Sequence, residues 1–215
     1  MDLVEAMTTT GTCRSFRPDP IPDDVLMRAF DAARFAPQGG NVEPVRWIVV
    51  RDRGRRRALA ELYEPLWHEY LDALRARFEL DSLPRSLANA DHFARHFAEV
   101  PAILVSCVRM DRLLATDDGL GRLSIVGGAS VYPFVQNLCL ALRAEGVATA
   151  ITTFLCRVES EVRELLAIPG EFGTACHVAA GYPARAWPRK LRRLPVSELV
   201  FAERFGASVK ASAAS

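Results

Sequence analysis

Ala36-Pro37-Gln38-Gly39-Gly40-Asn41-Val42-Glu43-Pro44 runs directly into Val45-Arg46-Trp47-Ile48-Val49-Val50. A helical pattern ends at Pro37, the Gly pair and Asn41 make a tight bend, and Pro44 bars further helix before the apolar run begins. Such a helix–loop–strand junction brings bare backbone and one amide side chain close to whatever lies beneath it. Upstream, Asp23 to Ala36 is apolar at Leu26, Ala29, Phe30, Ala33 and Ala36, a helical spacing. Pro22 and the acidic Asp23-Asp24 pair suit its first turn. Downstream, Trp47 to Val50 is short and rich in β-branched residues, as a buried strand is.

The same alternation continues. Arg53 opens a long helical region to about Phe78 with Tyr63, Trp67, Tyr70 and Leu74 on one face, a stripe that suits core or a subunit interface. Ser86 to Glu99 reads as a second helix, ending before Pro101. Ala102 to Val108, Ala148 to Phe154 and Thr174 to Tyr182 read as strands, and Val158 to Ala167 as a short charged helix. Ser124 to Ala144 is apolar almost all round, the pattern of an enclosed helix, with a bend expected at Pro133. Arg185 to Gly206 is Pro- and Arg-rich and then extended over Val196 to Phe201. Ala207 to Ser215 is a small-residue tail expected to be disordered. Strands alternating with helices around one very apolar helix indicate a mixed α/β sheet, in a single domain over 1–206.

The chain has 215 residues, half of them hydrophobic, and a net charge of +1. That suffices for one domain with a real core. Balanced charge gives no reason to expect nucleic acid or an anionic membrane as partner, and no apolar run reaches the roughly 18 residues of a membrane span. The N-terminus has no signal-peptide pattern. Five scattered cysteines without a Cys-x-x-Cys pair suit a reducing compartment, and a cytoplasmic location is expected.

Two cationic segments stand out. Thr8 to Arg17 packs hydroxyls with Arg14 and Arg17, while Arg185, Arg189, Lys190, Arg192 and Arg193 cluster far away in sequence. Guanidinium forks with hydroxyls suit a phosphate, so the two would make an anion cradle if folded together; apart, they are solvated faces. His92 and His96 share a helical face but lack the acid of the zinc-protease motif and an evident third ligand, so no metal is expected. His177, in an apolar strand, reads as a core histidine with its hydrogen bonds satisfied. Gly119-Leu120-Gly121 lacks the third Gly of a dinucleotide fingerprint. No nucleophile elbow and no P-loop is present.

Several segments, in order, resemble the FMN-dependent nitroreductase family. Arg14-x-Phe16-Arg17-Pro18-Asp19-Pro20-Ile21-Pro22 is similar to its flavin-phosphate segment, and Ala36–Pro44 to its Ala-Pro-Ser-Gly-Gly-Asn-x-Gln-Pro loop. Ser130–Leu138 with Glu145-Gly146 resembles its central helix and following turn. Gly181-Tyr182-Pro183 and Arg192-Arg193-Leu194-Pro195 resemble its last strand and second phosphate clamp.

The resemblance implies an α+β fold with a mixed or antiparallel central sheet surrounded by helices. It further implies a homodimer, FMN at the subunit interface and a C-terminal strand swapped onto the partner's sheet. It places Thr12, Arg14, Arg192 and Arg193 at the FMN phosphate. The loop positions Gln38, Gly39, Asn41 and Glu43 fall on the isoalloxazine or ribityl chain, and Thr152 and Thr153 near the flavin N5 edge. The expected activity is ping-pong transfer of two electrons from NADH or NADPH, through FMN, to a flat electrophile such as a quinone or nitroaromatic. A specialised metabolite-tailoring or flavin-consuming enzyme, and a flavin-binding protein without turnover, are the alternatives. The chain departs from the family pattern at Thr10 and Gly11, where many relatives carry Arg, and at Gln38, Glu43 and Val45, which replace Ser, Gln and Trp.

Overall fold

The computed structural model describes residues 1–79 and 82–209. Four strands, β1 (Val45–Val50), β2 (Ala102–Arg109), β3 (Ala148–Thr152) and β4 (Phe172–Gly181), form one sheet in the order β1-β2-β4-β3. Every neighbouring pair is antiparallel, so the sheet is not mixed. The connections explain why. Helices α3 (Arg53–Phe78) and α4 (Arg85–Arg95) lie between β1 and β2, and Val50 ends up opposite Ile103. The chain therefore re-enters beside the point where it left. The single helix α5 (Tyr132–Ala144) leads instead to β3, which shares the direction of β2, but β4 inserts between the two.

The sheet separates two apolar cores. Ala102, Leu104 and Val108 face α2 (Asp23–Ala33) and α5, whereas Ile103, Val105 and Cys107 face α3, α4 and the segment around Leu155 and Val162. With both faces covered, β2 is a continuous apolar run rather than an alternating one. Tyr63 stacks on Phe97 with ring centroids 4.4 Å apart, and Trp67 donates to Asp91 at 2.9 Å, so those members of the aromatic stripe are core. Tyr70 is exposed at the edge of the cluster.

Several elements differ from expectation. Helix α1 (Leu3–Thr9) has no clear apolar pattern and forms behind an Asp2 cap that accepts from the Glu5 amide. Helix α5 starts at Tyr132, not Ser124, and Pro133 sits in its first turn, where the missing N–H costs nothing. Gly127–Ser130 forms a 3₁₀ turn before it. Strand β3 stops at Thr152, and a 3₁₀ turn at Phe154–Val158 leads into α6 (Glu159–Leu166). Val196–Glu198 is a 3₁₀ turn rather than a strand, because the amides of Glu198 and Leu199 donate back to Pro195 and Val196. Phe201 then bridges to Ser208, within the tail expected to be disordered. The rest of that tail, from residue 210, lies outside the described residues.

His177 is not the satisfied core histidine expected. It is fully buried on β4, and among the described residues neither ring nitrogen has a hydrogen-bond partner. Burial pushes its pKa from 6.5 down to about 4, because a low-dielectric site penalises the imidazolium. The unfolded chain takes up this proton near pH 6.5 and the folded chain only near 4, so stability is lost as pH falls through that window. The melting temperature of the wild type is expected to drop more steeply between pH 6.5 and 4 than that of His177→Leu. Parallel curves would show that His177 does not carry the effect.

Candidate functional site

Residues 8–17 and 181–191 are joined along their backbones. The amide of Arg17 donates to Tyr182 at 2.8 Å, that of Ala184 to Ser15 at 3.0 Å, and that of Leu191 to Thr8 at 2.9 Å. Cys13 donates to Thr149 on β3 at 2.8 Å, and Phe16 bridges to Pro183. These bonds bring the two cationic segments to one cavity of about 420 Å³. Thr12, Arg14, Ser15, Arg185 and Arg193 line it, and among the described residues no carboxylate does. Three guanidinium forks and two hydroxyls, with no acceptor-only group among them, form a donor set for a dianion such as a phosphate.

Arg192 does not line this cavity, since adjacent residues of an extended segment point to opposite sides. Thr8, Thr9 and Thr10 are also not free donors: each hydroxyl bonds back to a carbonyl of α1, Val4, Glu5 and Ala6 respectively. A Cβ at Gly11 would stand 3.1 Å from the Leu191 side chain. The two segments thus approach closely at Gly11, where a larger side chain would require Leu191 to shift.

Sequence reasoning missed Trp187, which lines the cavity and lies under the Arg143 guanidinium at 3.7 Å. Arg143 is buried at the end of α5 and donates to the Thr9 hydroxyl at 3.2 Å. A buried Arg in an otherwise apolar helix was the available signal. His92 also lines the cavity, and its ring centroid lies 4.1 Å from that of His96. Among the described residues, no group of three metal-ligating side chains is found.

The Gln38–Glu43 loop is elsewhere in the chain and contributes nothing to that cavity's lining. Its Gly39 amide donates to the Ser130 hydroxyl at 3.0 Å, tying it to the start of α5. Gly40, Asn41 and Glu43 all have left-handed backbone, with φ of 60°, 52° and 46°. Asn tolerates that conformation; Glu does not, at roughly 1–2 kcal/mol per residue. Strain concentrated on an exposed loop is a mark of a functional segment. The Asn41 and Glu43 side chains are exposed, while the Gln38 side-chain oxygen is buried without a partner. Thr152 turns inward and its hydroxyl donates to Tyr63 at 3.4 Å, which leaves Thr153 exposed at the end of β3.

The model of the nitroreductase family matches residues 8–182. The chain therefore belongs to the nitroreductase family and is an oxidoreductase. It is 29% identical over 210 residues to an NADH dehydrogenase of Thermus thermophilus, covering 93% of this chain and 95% of that one. A 5,6-dimethylbenzimidazole synthase of Rhodospirillum rubrum is 27% identical over 187 residues, covering 86% and 81%. Among solved structures, the NADPH:FMN oxidoreductase of Vibrio harveyi superposes with a TM-score of 0.66 at 19% identity, covering 94% of this chain and 77% of that one.

The strained loop makes a stability prediction. Glu43→Gly relieves about 1 kcal/mol and is expected to raise the melting temperature by about 2–4 °C, whereas Gly40→Ala lowers it by a similar amount. Thermal unfolding of both variants checks it.

Proposed function

We propose that the protein is an FMN-dependent oxidoreductase that takes electrons from NADH or NADPH and passes them in pairs to flat electrophiles such as quinones or nitroaromatics. The observation that carries this reading is the carboxylate-free cavity lined by Arg14, Arg185 and Arg193 beneath a family match that spans the same fold. Its donor chemistry fits the phosphate of FMN. When bound, the flavin supplies the hydride chemistry, and no acid or base side chain is required. The work of the chain is to bind and orient. Arg14 and Arg193 neutralise the phosphate, Thr12 and Ser15 add hydroxyl donors, and Trp187, fixed by Arg143, walls the cavity.

The Gln38–Glu43 loop does not line this cavity, and a second copy of the chain would bring its own Asn41 to a flavin held by the arginines. A homodimer accounts for both halves of the site. Apolar Val196, Leu199, Val200 and Phe205 are exposed on the C-terminal arm, surface that a partner would cover. We accordingly place the arm, domain-swapped or simply packed, on the partner subunit.

A second reading is favoured by Glu43, a carboxylate in place of a donor amide, and by the relatedness to a dimethylbenzimidazole synthase. In that case the physiological acceptor is molecular oxygen or one dedicated metabolite, and the flavin itself can be consumed. Anaerobic reduction followed by air separates the two: rapid reoxidation with permanent loss of flavin absorbance supports the second, and turnover with quinones supports the first.

Purified protein is expected to be yellow, or to become so with FMN, and to bleach anaerobically on addition of NADH or NADPH. A protein that stays colourless with FMN would refute the proposal. Arg193→Ala is expected to weaken FMN binding by about 10–100-fold, the loss of a charge-assisted hydrogen bond. Arg192→Ala should stay within about twofold, as an exposed substitution does. Flavin fluorescence titration measures both.

A further inference from the structure

A second, separate concentration of arginines lies at the start of α3. Arg51-Asp52-Arg53-Gly54-Arg55-Arg56-Arg57 places five guanidinium groups in seven residues, and α3 has no acidic residue in its first turn. Cations at the positive end of a 26-residue helix oppose its macrodipole, and they repel one another. Asp52 caps this end by accepting from the Arg55 amide at 2.8 Å, one carboxylate among five guanidinium groups.

These residues surround a cleft of about 530 Å³ whose walls include Arg51, Arg53, Arg56, Arg57 and one carboxylate, Glu99. Arg51 pairs with Asp23, and Arg57 with Glu61 at 3.1 Å. Among the described residues, Arg53, Arg55 and Arg56 have no carboxylate partner within ion-pair distance. Arg56 instead donates to the carbonyls of Ala98 at 2.9 Å and Val100 at 2.5 Å, which anchors the wall, and the Asp52 carboxylate acts on its charge from nearby. The Nε of Arg51 is buried and has no partner. The remaining wall is Pro18, Pro20, Ala98 and Pro101, stiff and without an aromatic ring.

We propose that this cleft binds a compact polyanion through a di- or triphosphate group, independently of the cavity lined by Arg14 and Arg193. Several guanidinium forks converging on one cleft match multiple phosphate oxygens, and the absence of any aromatic wall means that the phosphates, not a base, are read. The two sites are distinct: Arg14 and Ser15 line the first, whereas Pro18 and Pro20 of the same segment line the second.

The test is isothermal titration of tripolyphosphate, at constant ionic strength and with saturating FMN occupying the first cavity, into four proteins: wild type, Arg53→Glu/Arg57→Glu, Arg193→Ala, and Arg77→Glu/Arg204→Glu. The last removes the same charge elsewhere on the surface. Saturable binding to wild type is expected, weakened roughly tenfold or more by the first double variant and little changed in the other two. Absence of saturable binding overturns the proposal. So does loss of binding in Arg193→Ala alone, or equal loss in both double variants. ATP in place of tripolyphosphate distinguishes the sources: equal affinity supports recognition of the phosphate chain alone, and tighter ATP binding supports a nucleotide as its carrier. Circular dichroism and melting of each variant confirm that the fold is intact, and a second pair, Arg53→Gln/Arg57→Gln, repeats the comparison without charge reversal.

Discussion

Backbone hydrogen bonds between the N-terminal segment and the chain leaving β4 govern the architecture of the site. Arg17 to Tyr182, Ala184 to Ser15 and Leu191 to Thr8 continue backbone pairing past the end of β4, while Cys13 is tied to Thr149 on β3. Each bond is worth little on its own, about 1 kcal/mol. Together they hold residues far apart in the chain side by side, and so bring Arg14, Arg185 and Arg193 to one cavity. Without them, the same arginines would be separate solvated groups. Gly11 and Gly181 show how close the approach is: a Cβ at Gly181 would lie 2.9 Å from both Phe16 and Pro101.

The sheet beneath is what makes that approach rigid. Strand β2 has neighbours on both edges and apolar layers on both faces, so its backbone polar groups are consumed by the ladder and its side chains by the cores. A core so tightly enclosed tolerates few polar groups, yet it contains His177 and Ser106 without partners. Leaving a buried polar atom unpaired costs about 1–3 kcal/mol, a cost met by the surrounding apolar burial. The strained loop at Gly40–Glu43 is carried in the same way, anchored at one end by Ser130 and at the other by the start of β1.

The fold and the site differ in how much of them was legible in the residues. Strand β2 and helix α2 could be read directly, because burial on two faces or on one leaves an unbroken or a 3.6-residue apolar pattern. The extent of α5 could not, since an apolar loop before a helix has the same composition as the helix; only Gly127-Gly128 and Pro133 marked the boundary. The order β1-β2-β4-β3 was hidden for a different reason. Local pattern does not say which strand inserts between two others, and alternating helices and strands suit both parallel and antiparallel sheets.

At the site, residue types alone marked the Thr8–Arg17 and Arg185–Arg193 segments as two halves of an anion cradle and the Gly-Gly-Asn bend as a close-approach loop, while the assignment of Thr12, Arg14, Arg192 and Arg193 to a phosphate came from the family resemblance. The chemistry of guanidinium groups, hydroxyls and glycine is local, and it survives any fold. What lay beyond the sequence was partnership. That Arg192 faces away, that Trp187 rests on Arg143, that Thr8 to Thr10 are spent on their own helix, and that His177 has no partner are all facts of relative position. Position is decided by which backbone groups pair over long distances and which side chains the cores exclude, and neither is written in any one segment.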